Sequence, residues 1–260
     1  MSQHDHGSIL EFLKQGAWFS GLPEGLQTLI MERSIVRSYR RREFIIRQGA
    51  PTKGMFAVLE GRVRVVTHIG NGEEVLVHIG EAGLWFGEYA MLSGTGTRSI
   101  GSIIADTPVR ALLLPVAEFE RIVEDEPRYF RAVADLNLER YALLYRYASE
   151  AQGFAAEERL RSRLQGMASM ERSSAPGRDP VSISVSQADL ATIVGVSRQT
   201  LNILLARLQA RGLIEIGFRC IRVLDETRLH EQGEGREKQD DDRAPAGPRA
   251  PGVRAANACE

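Results

Sequence analysis

The spacing of apolar residues changes at Pro127, and this change limits the folds open to the chain. Before it, over residues 43–116, short segments such as 62–65 alternate in polarity, and segment 75–79 is rich in β-branched residues, which predicts strands. The pair Asn71-Gly72 between these segments suits a two-residue hairpin turn. Because glycines recur at short intervals, we expect an antiparallel jelly roll or barrel.

After Pro127 the apolar residues follow a helical spacing, which predicts a long helix. The residues on this stripe are Tyr129, Val133, Leu136, Leu143 and Tyr147, with Arg140 as the one polar interruption. The stripe either covers the barrel or forms the seam of a dimer, and a long helix between two domains favours the dimer. Gly153 is a candidate hinge, a further helix is expected over residues 157–170, and residues 173–180 have the composition of a loop.

The charge of the chain is unevenly distributed. The 260 residues are 43% apolar, enough for a sizeable core, and carry a net charge of −1. Residues 186–224 nevertheless hold five basic and two acidic residues, whereas residues 225–260 hold nine acidic and six basic ones. The basic segment is typical of a nucleic-acid contact, and the acidic, Pro- and Gly-containing end predicts a disordered tail.

The basic segment begins with signals for two consecutive helices. Ser186 and Asp189 have the Ser-x-x-acid form of a helix start. Gly195 is suited to a tight turn, and Ser197 can cap a second helix over residues 197–211. One face of this second helix is apolar and is expected in the core: Leu201, Leu204, Leu205 and Leu208.

The opposite face of the second helix predicts a major-groove reader. Arg198 and Gln199 suit guanine and adenine edges, and Ile203 either covers part of the neighbouring segment or contacts a thymine methyl. Residues 212–223 read as two short strands, which makes a winged helix that binds double-stranded DNA. The expected DNA contacts are Ser186, Gln187, Ser197, Arg198, Gln199, Thr200, Asn202, Ile203 and Arg219.

A second candidate site lies in residues 84–94, which read as a strand, a short helical turn and a glycine-rich return. Arg98 and the converging amides of the turn can hold an anionic phosphate, while Glu88 accepts hydrogen bonds from sugar hydroxyls. The alternative is an ion pair between Glu88 and Arg98 that merely fixes the loop.

The Phe-Gly-Glu…Arg-Ser cassette in a barrel, the long helix and the late winged helix occur in this order over residues 10–224 and resemble the Crp/Fnr family of bacterial transcription regulators. The resemblance implies an α+β fold with a jelly roll (9–126), a dimerisation helix (127–153) and a winged helix-turn-helix (154–224), before the tail (225–260). It also implies a cytoplasmic homodimer that binds a near-palindromic operator, with RNA polymerase as a further partner.

In cyclic-nucleotide responders of this family, the equivalents of Gly87, Glu88, Arg98 and Ser99 hold the ribose and cyclic phosphate, so cAMP or cGMP is the expected effector. Where cAMP-responsive members place a Thr-Ser pair against adenine, this chain has Leu144 and Tyr145. An effector-independent regulator, or one that responds to a cyclic dinucleotide, therefore stays open.

Two further departures from the family pattern affect the operator and the sensing chemistry. The recognition helix begins Ser197-Arg198-Gln199 where the family has Ser-Arg-Glu, and Ile203 replaces an arginine that reads guanine, so the operator should differ. No cysteine precedes Cys220, so we expect no iron–sulfur cluster and no metal site.

Other classes of function have little support in the sequence. Gly-x-Ser-x-Gly, His-Glu-x-x-His and Gly-x-x-x-x-Gly-Lys motifs are absent, so we do not expect an enzyme. The apolar runs are too short for a membrane-spanning helix. A ligand-sensing module that acts through a protein partner remains the alternative to a DNA-binding regulator.

Overall fold

A computed structural model describes residues 3–68, 70, 72, 74–94, 96–174 and 179–230. Its first elements are α1 (Gln3–Leu13), α2 (Ala17–Ser20), α3 (Glu24–Arg33), β1 (Ile35–Tyr39), β2 (Phe44–Ile46), β3 (Gly54–Glu60), β4 (Val63–His68), β5 (Glu74–Gly80), β6 (Trp85–Phe86), α4 (Glu88–Ser93), β7 (Ser102–Ala105), β8 (Val109–Pro115) and α5 (Val116–Asp125). After them come α6 (Phe130–Gly153), α7 (Ala156–Ser174), β9 (Val181–Ile183), α8 (Gln187–Val194), α9 (Arg198–Ala210), β10 (Ile214–Gly217), β11 (Cys220–Val223) and α10 (Glu226–His230).

Two antiparallel sheets form the expected jelly roll. Their strand orders are β1-β8-β3-β6 and β2-β7-β4-β5. Phe56 and Val58 on β3 belong to the core between the sheets, together with Phe86 and Ala111. The period of two along a strand sends the intervening residues of β3 to the other face of the sheet. The predicted strands are confirmed, and β1 adds a strand before the expected start at residue 43 because it pairs with the distant β8.

Helices cover the outer face of the first sheet. Met55 and Ala57, the alternate residues of β3, pack with side chains from α2, α3, α5 and the start of α6 in a second apolar cluster. Tyr129, Val133 and Leu136 lie in this cluster and are at most 6% exposed. The first half of the predicted apolar stripe therefore covers the barrel.

The second half of that stripe packs against α7. The Arg163 guanidinium lies 3.4 Å from the centre of the Tyr147 ring, and a Cβ on Gly166 would overlap the Tyr147 hydroxyl and crowd Leu143. The covering interpretation of this stripe is thus favoured over the dimer seam, since Tyr129, Val133 and Leu136 are buried and Leu143 and Tyr147 are half-buried within the same chain. A different row on α6 follows a 4-3 spacing and faces outward: Ala134, Leu138, Tyr141, Tyr145 and Ala148.

The C-terminal part is a winged helix-turn-helix. Helices α7, α8 and α9 and the β10-β11-β9 sheet share one apolar core. Helix α10 adds Leu229, which is 1% exposed, and Glu226 pairs with Arg172 on α7 at 2.6 Å. The chain is therefore folded to His230, and the expectation of disorder from residue 225 is wrong for its first residues. Residues 231–260, Asn71 of the predicted turn and residues 175–178 of the predicted loop lie outside the described residues.

The two parts of the chain contact each other through the β4–β5 hairpin. Val66, Leu76 and Ile79 on this hairpin join the apolar core of the C-terminal part. The Arg64 guanidinium on β4 lies 2.8 Å from the Asp189 carboxylate on α8. Helix α8 is consequently docked on the jelly roll. No helix among the described residues is both long and apolar enough to cross a membrane.

Candidate DNA-binding surface and effector pocket

Helices α8 and α9 begin at the residues that the sequence predicts. The Ser186 hydroxyl accepts a hydrogen bond from the Asp189 amide at 3.1 Å, and the Ser197 hydroxyl accepts one from the Thr200 amide at 3.1 Å. Gly195 ends α8 at φ +73°, a left-handed conformation that glycine adopts without Cβ strain. The predicted helix-turn-helix is confirmed, with Arg211 as the C-cap of α9.

Helix α9 divides cleanly into a buried and an exposed face. Its four leucines are at most 6% exposed. The side chains predicted to contact DNA from this helix and its cap lie together on the exposed side: Ser197, Arg198, Gln199, Thr200, Asn202 and Ile203. Ile203 is 51% exposed, so much of its surface is open to a partner. These side chains could meet base edges and phosphates along one groove.

Three of the basic residues near this surface form ion pairs with two carboxylates. Arg211 lies 2.8 Å and Arg207 3.9 Å from Glu157 on α7, and Arg222 lies 2.6 Å from Glu215 across the wing. Two further arginines, Arg198 and Arg219, form no ion pair with another residue that the structure describes. The charge available to DNA is thus concentrated at the start of α9 and at the tip of the wing.

The wing itself is fixed to α9. The Ile216 amide donates a hydrogen bond to the Gln209 side-chain oxygen at 2.9 Å. Arg219 turns the wing at φ +54°, and the neighbouring Phe218 is 94% exposed. Sequence reasoning missed Phe218, because the surrounding alternation gives it the appearance of an ordinary strand residue.

The start of α8 is less accessible than α9. Ser186 and Gln187 are half-buried beside the jelly roll. Burial raises the pKa of the Asp189 carboxyl, but hydrogen bonds from Ser186 and Arg64, and the charges of Arg64 and Arg219, outweigh it and hold this pKa below its usual value. Asp189 is therefore charged at neutral pH and attached to both parts of the chain.

In the cassette, backbone geometry accounts for Gly87. Its φ is +88°, and a Cβ would overlap the Gly54 carbonyl on β3. This close approach places Glu88 at the start of α4, where its side chain is 13% exposed and its carboxylate lies 3.7 Å from Nε of Arg140. The Arg140 guanidinium also donates to the Trp85 carbonyl at 2.7 Å. Arg140 thus joins the cassette to α6. Its position as the one polar residue in an apolar stripe is the sequence feature that could have indicated this role.

The other cassette residues bond to the backbone. Arg98 is exposed and donates to the Gly49 carbonyl at 2.5 Å, and the Ser99 hydroxyl donates to the Gly101 carbonyl at 2.6 Å. The alternative ion pair between Glu88 and Arg98 does not form, since the partner of Glu88 is Arg140. A phosphate would fit this donor set if Arg98 and Ser99 exchanged their carbonyl acceptors for its oxygens.

The two predicted nucleobase contacts lie on α6 near the cassette. Leu144 is one helical turn after Arg140 and 51% exposed, so it shares the face that approaches Glu88. Tyr145 is 67% exposed, and its ring centre lies 6.4 Å from that of Tyr141 on the outward row. Leu144 therefore lies on the side of α6 that faces the cassette, whereas Tyr145 belongs to the outward row.

The histidines and cysteine do not suggest a metal centre. Within the described ranges, no group of three or more His, Cys, Asp or Glu side chains could hold a metal ion. His78 is half-buried beside α7, and burial together with the charge of Arg140 lowers its pKa to about 3. His68 lies on the surface, and its amide bonds to Gln48 at 2.8 Å.

Comparisons with known proteins agree with this arrangement. Residues 36–126 match the family model of the cyclic nucleotide-binding domain, and residues 158–232 match that of the Crp-like helix-turn-helix domain. Human cGMP-dependent protein kinase 2 is 29% identical over 131 residues, which are 48% of this chain, and the chain spans only 17% of that kinase.

Two further proteins are matched over nearly their whole length. The CRP-like cAMP-activated global transcriptional regulator of Mycobacterium tuberculosis is 23% identical over 221 residues, which cover 84% of this chain and 97% of the relative. FixK2 from Bradyrhizobium japonicum has the same fold, with a TM-score of 0.63 at 18% identity over 76% of this chain and 96% of FixK2. With both domain models matched in this order, the chain belongs to the Crp/Fnr family of transcription regulators.

Proposed function

We propose that this protein is a homodimeric regulator that reads a near-palindromic operator with α9 under the control of an effector in the jelly roll. The observation that carries the proposal is the division of α9 into two faces. Four leucines on one face are buried in the core, and the six candidate DNA contacts of the helix and its cap are exposed on the other. The functional units are residues 9–126, 127–153 and a C-terminal unit that extends from 154 to about 230. The jelly roll senses a ligand and performs no catalysis.

The outward row on α6 supports the dimer. Leu138, Tyr141 and Tyr145 are 62–67% exposed, and residues at this spacing form a continuous stripe along a helix. Pairing this row with its copy would bury it and would set two recognition helices about 34 Å apart, one turn of DNA. RNA polymerase is the further partner through which such a dimer would act on transcription.

Selection of binding sites from random duplexes tests the DNA proposal. The full-length protein should enrich an inverted repeat, and its affinity should fall with salt because phosphate contacts release counterions. Retention of all random duplexes alike would contradict the proposal and would favour a module that acts through a protein partner.

Arg198→Ala tests whether α9 reads the operator. The variant should lose roughly 1–3 kcal/mol of binding, about 5- to 150-fold in Kd, and should relax sequence preference at one position of each half-site, as a base contact does. Arg207→Ala is the matched control, since Arg207 lies on the same helix and pairs with Glu157. Equal losses in the two variants would exclude specific readout by Arg198.

The effector is proposed to be a cyclic nucleotide. The mycobacterial relative is named as cAMP-activated and the human one as cGMP-dependent. Leu144 and Tyr145 keep two alternatives open, a cyclic dinucleotide and no effector. Calorimetric titration with cAMP, cGMP and cyclic di-GMP separates them, and no binding by any of the three would contradict control by a nucleotide.

Arg98→Ala tests the position of the effector site. We expect loss of ligand binding and of the effector response, because the phosphate loses its guanidinium, while weak nonspecific DNA binding persists. A far-ultraviolet circular dichroism spectrum like that of the wild type is the control for folding. An unchanged ligand affinity would show that the ligand binds elsewhere.

A further inference from the structure

The tip of the β10–β11 wing carries an aromatic ring that the fold leaves in solvent. Phe218, at 94% exposure, is more exposed than any other large apolar side chain the structure describes, the next being Ile100 at 70%. Gly217 and Cys220 form the last pair of the two strands, so Phe218 and Arg219 make the whole turn. Two-residue hairpin turns favour Asn and Gly, so the conformation of the turn does not explain the presence of Phe218 and Arg219.

The wing holds this tip in a defined place. Ile214 and Val223 at its base are at most 2% exposed, within the core of the winged helix. Glu215 and Arg222 pair across the strands at 2.6 Å, and Gln209 ties the outer strand to α9. A side chain at the tip is therefore presented on a rigid support, which lowers the entropic cost of a contact.

The surroundings of Phe218 favour a nucleic acid over a protein as its partner. Its neighbours in the turn are Gly217 and Arg219, so the ring is an isolated apolar group rather than the contiguous patch that a protein interface presents. Arg219 holds no ion pair with any other residue in the described part of the chain. An apolar wedge beside an arginine is the combination with which proteins enter the minor groove and unstack a base step.

The position of the tip agrees with that partner. Arg219 is close enough to Asp189, at the start of α8, for its charge to act on that carboxyl. The tip thus flanks the helix-turn-helix on the side where α8 begins. With α9 in the major groove, a projection on this flank crosses one phosphate backbone and meets the adjoining minor groove.

We propose that Phe218 inserts its ring between base pairs in the minor groove that flanks each half-site, with Arg219 beside it in the groove, and so kinks the operator. This inference rests on the proposed function. It names an additional determinant of sequence preference, because pyrimidine–purine steps unstack more easily than others.

The test uses the full-length protein and the operator obtained by selection. Wild-type, Phe218→Ala and Phe218→Leu proteins are compared for affinity, for DNA bending by electrophoresis of circularly permuted fragments, and for permanganate oxidation of flanking thymines, which reports unstacking. Ile100→Ala is the matched control, since it removes an exposed apolar side chain outside the winged helix. All four proteins are checked by circular dichroism for an unchanged fold.

We expect Phe218→Ala to bind about tenfold more weakly, to bend the operator less and to lose permanganate reactivity in the flank. Its preference within the half-sites should remain, Phe218→Leu should retain most of the bend as an apolar wedge, and Ile100→Ala should match the wild type. Equal bending and flank reactivity in wild type and Phe218→Ala would overturn this inference alone. Failure of the wild type to select any duplex would instead overturn the proposed function as well.

Discussion

At the scale of single residues, Gly87 shows how the backbone fixes the effector cassette. Its φ of +88° and the Gly54 carbonyl beside it exclude a Cβ for two separate reasons, strain and overlap. Gly49 has a similar φ of +76° but open space around it, so a substitution at Gly49 introduces backbone strain without overlap.

Gly87→Ala should therefore destabilise the protein more than Gly49→Ala. For Gly49→Ala we expect a loss of about 1 kcal/mol in the free energy of unfolding, the cost of a left-handed non-glycine residue. For Gly87→Ala we expect at least roughly 2–3 kcal/mol, because β3 must also move. Urea unfolding of both variants at one protein concentration measures the difference, and equal losses would show that β3 yields without cost.

At the scale of elements, local signals and long-range contacts explain what the sequence could predict. Helix α9 was predictable within a residue, since Ser197, Gly195 and the leucine spacing all act within a few residues of one another. Strand β1 was not, because its partner β8 is at least 70 residues away in the chain. The faces of α6 were ambiguous, since two apolar stripes run along the helix and only tertiary packing decides which one is buried.

Within the candidate site, too, local signals could be predicted from the sequence and long-range contacts could not. The exposed face of α9 follows from helical periodicity alone, whereas the partner of Glu88 depends on how α6 crosses the barrel. The sequence offered Arg98 as that partner, ten residues away, but the crossing brings Arg140 to the carboxylate.

The outward row of α6 leads to a prediction about assembly. Tyr141→Lys places two like charges in the seam that would face its copy, so we expect the variant to be monomeric at concentrations where the wild type is a dimer. Asp135→Lys, at an exposed position on another face of α6, is the matched control and should stay dimeric. Sedimentation equilibrium distinguishes the two states, and a dimeric Tyr141→Lys protein would locate the interface elsewhere.

At the scale of the whole molecule, an ion pair and an apolar contact hold the DNA-binding part against the jelly roll. The pair of Arg64 with Asp189 has a counterpart within the jelly roll, Arg62 with Asp106, in which both side chains are similarly shielded. Arg64→Met should speed amide exchange in β5 and α8 roughly fivefold, about 1 kcal/mol, while Arg62→Met should affect only the turn before β8. Hydrogen-exchange mass spectrometry provides both values, and unchanged exchange in α8 would show that the apolar contact alone holds the two parts together.

The same contact should depend on pH in a defined direction. Because the pKa of Asp189 in the folded protein lies below its ordinary value of 3.8, the ion pair stabilises the docked arrangement fully above that value. This contribution disappears as the pH falls through the lowered pKa, when Asp189 gains a proton and Arg64 loses its partner. The difference in α8 exchange between the wild type and Arg64→Met, which share the lowered pKa of His78, should therefore be constant from pH 7 to 5 and disappear only below pH 3.8. Approach of the two proteins already between pH 7 and 5 would show that a group other than Asp189, such as a histidine, controls the docking of α8.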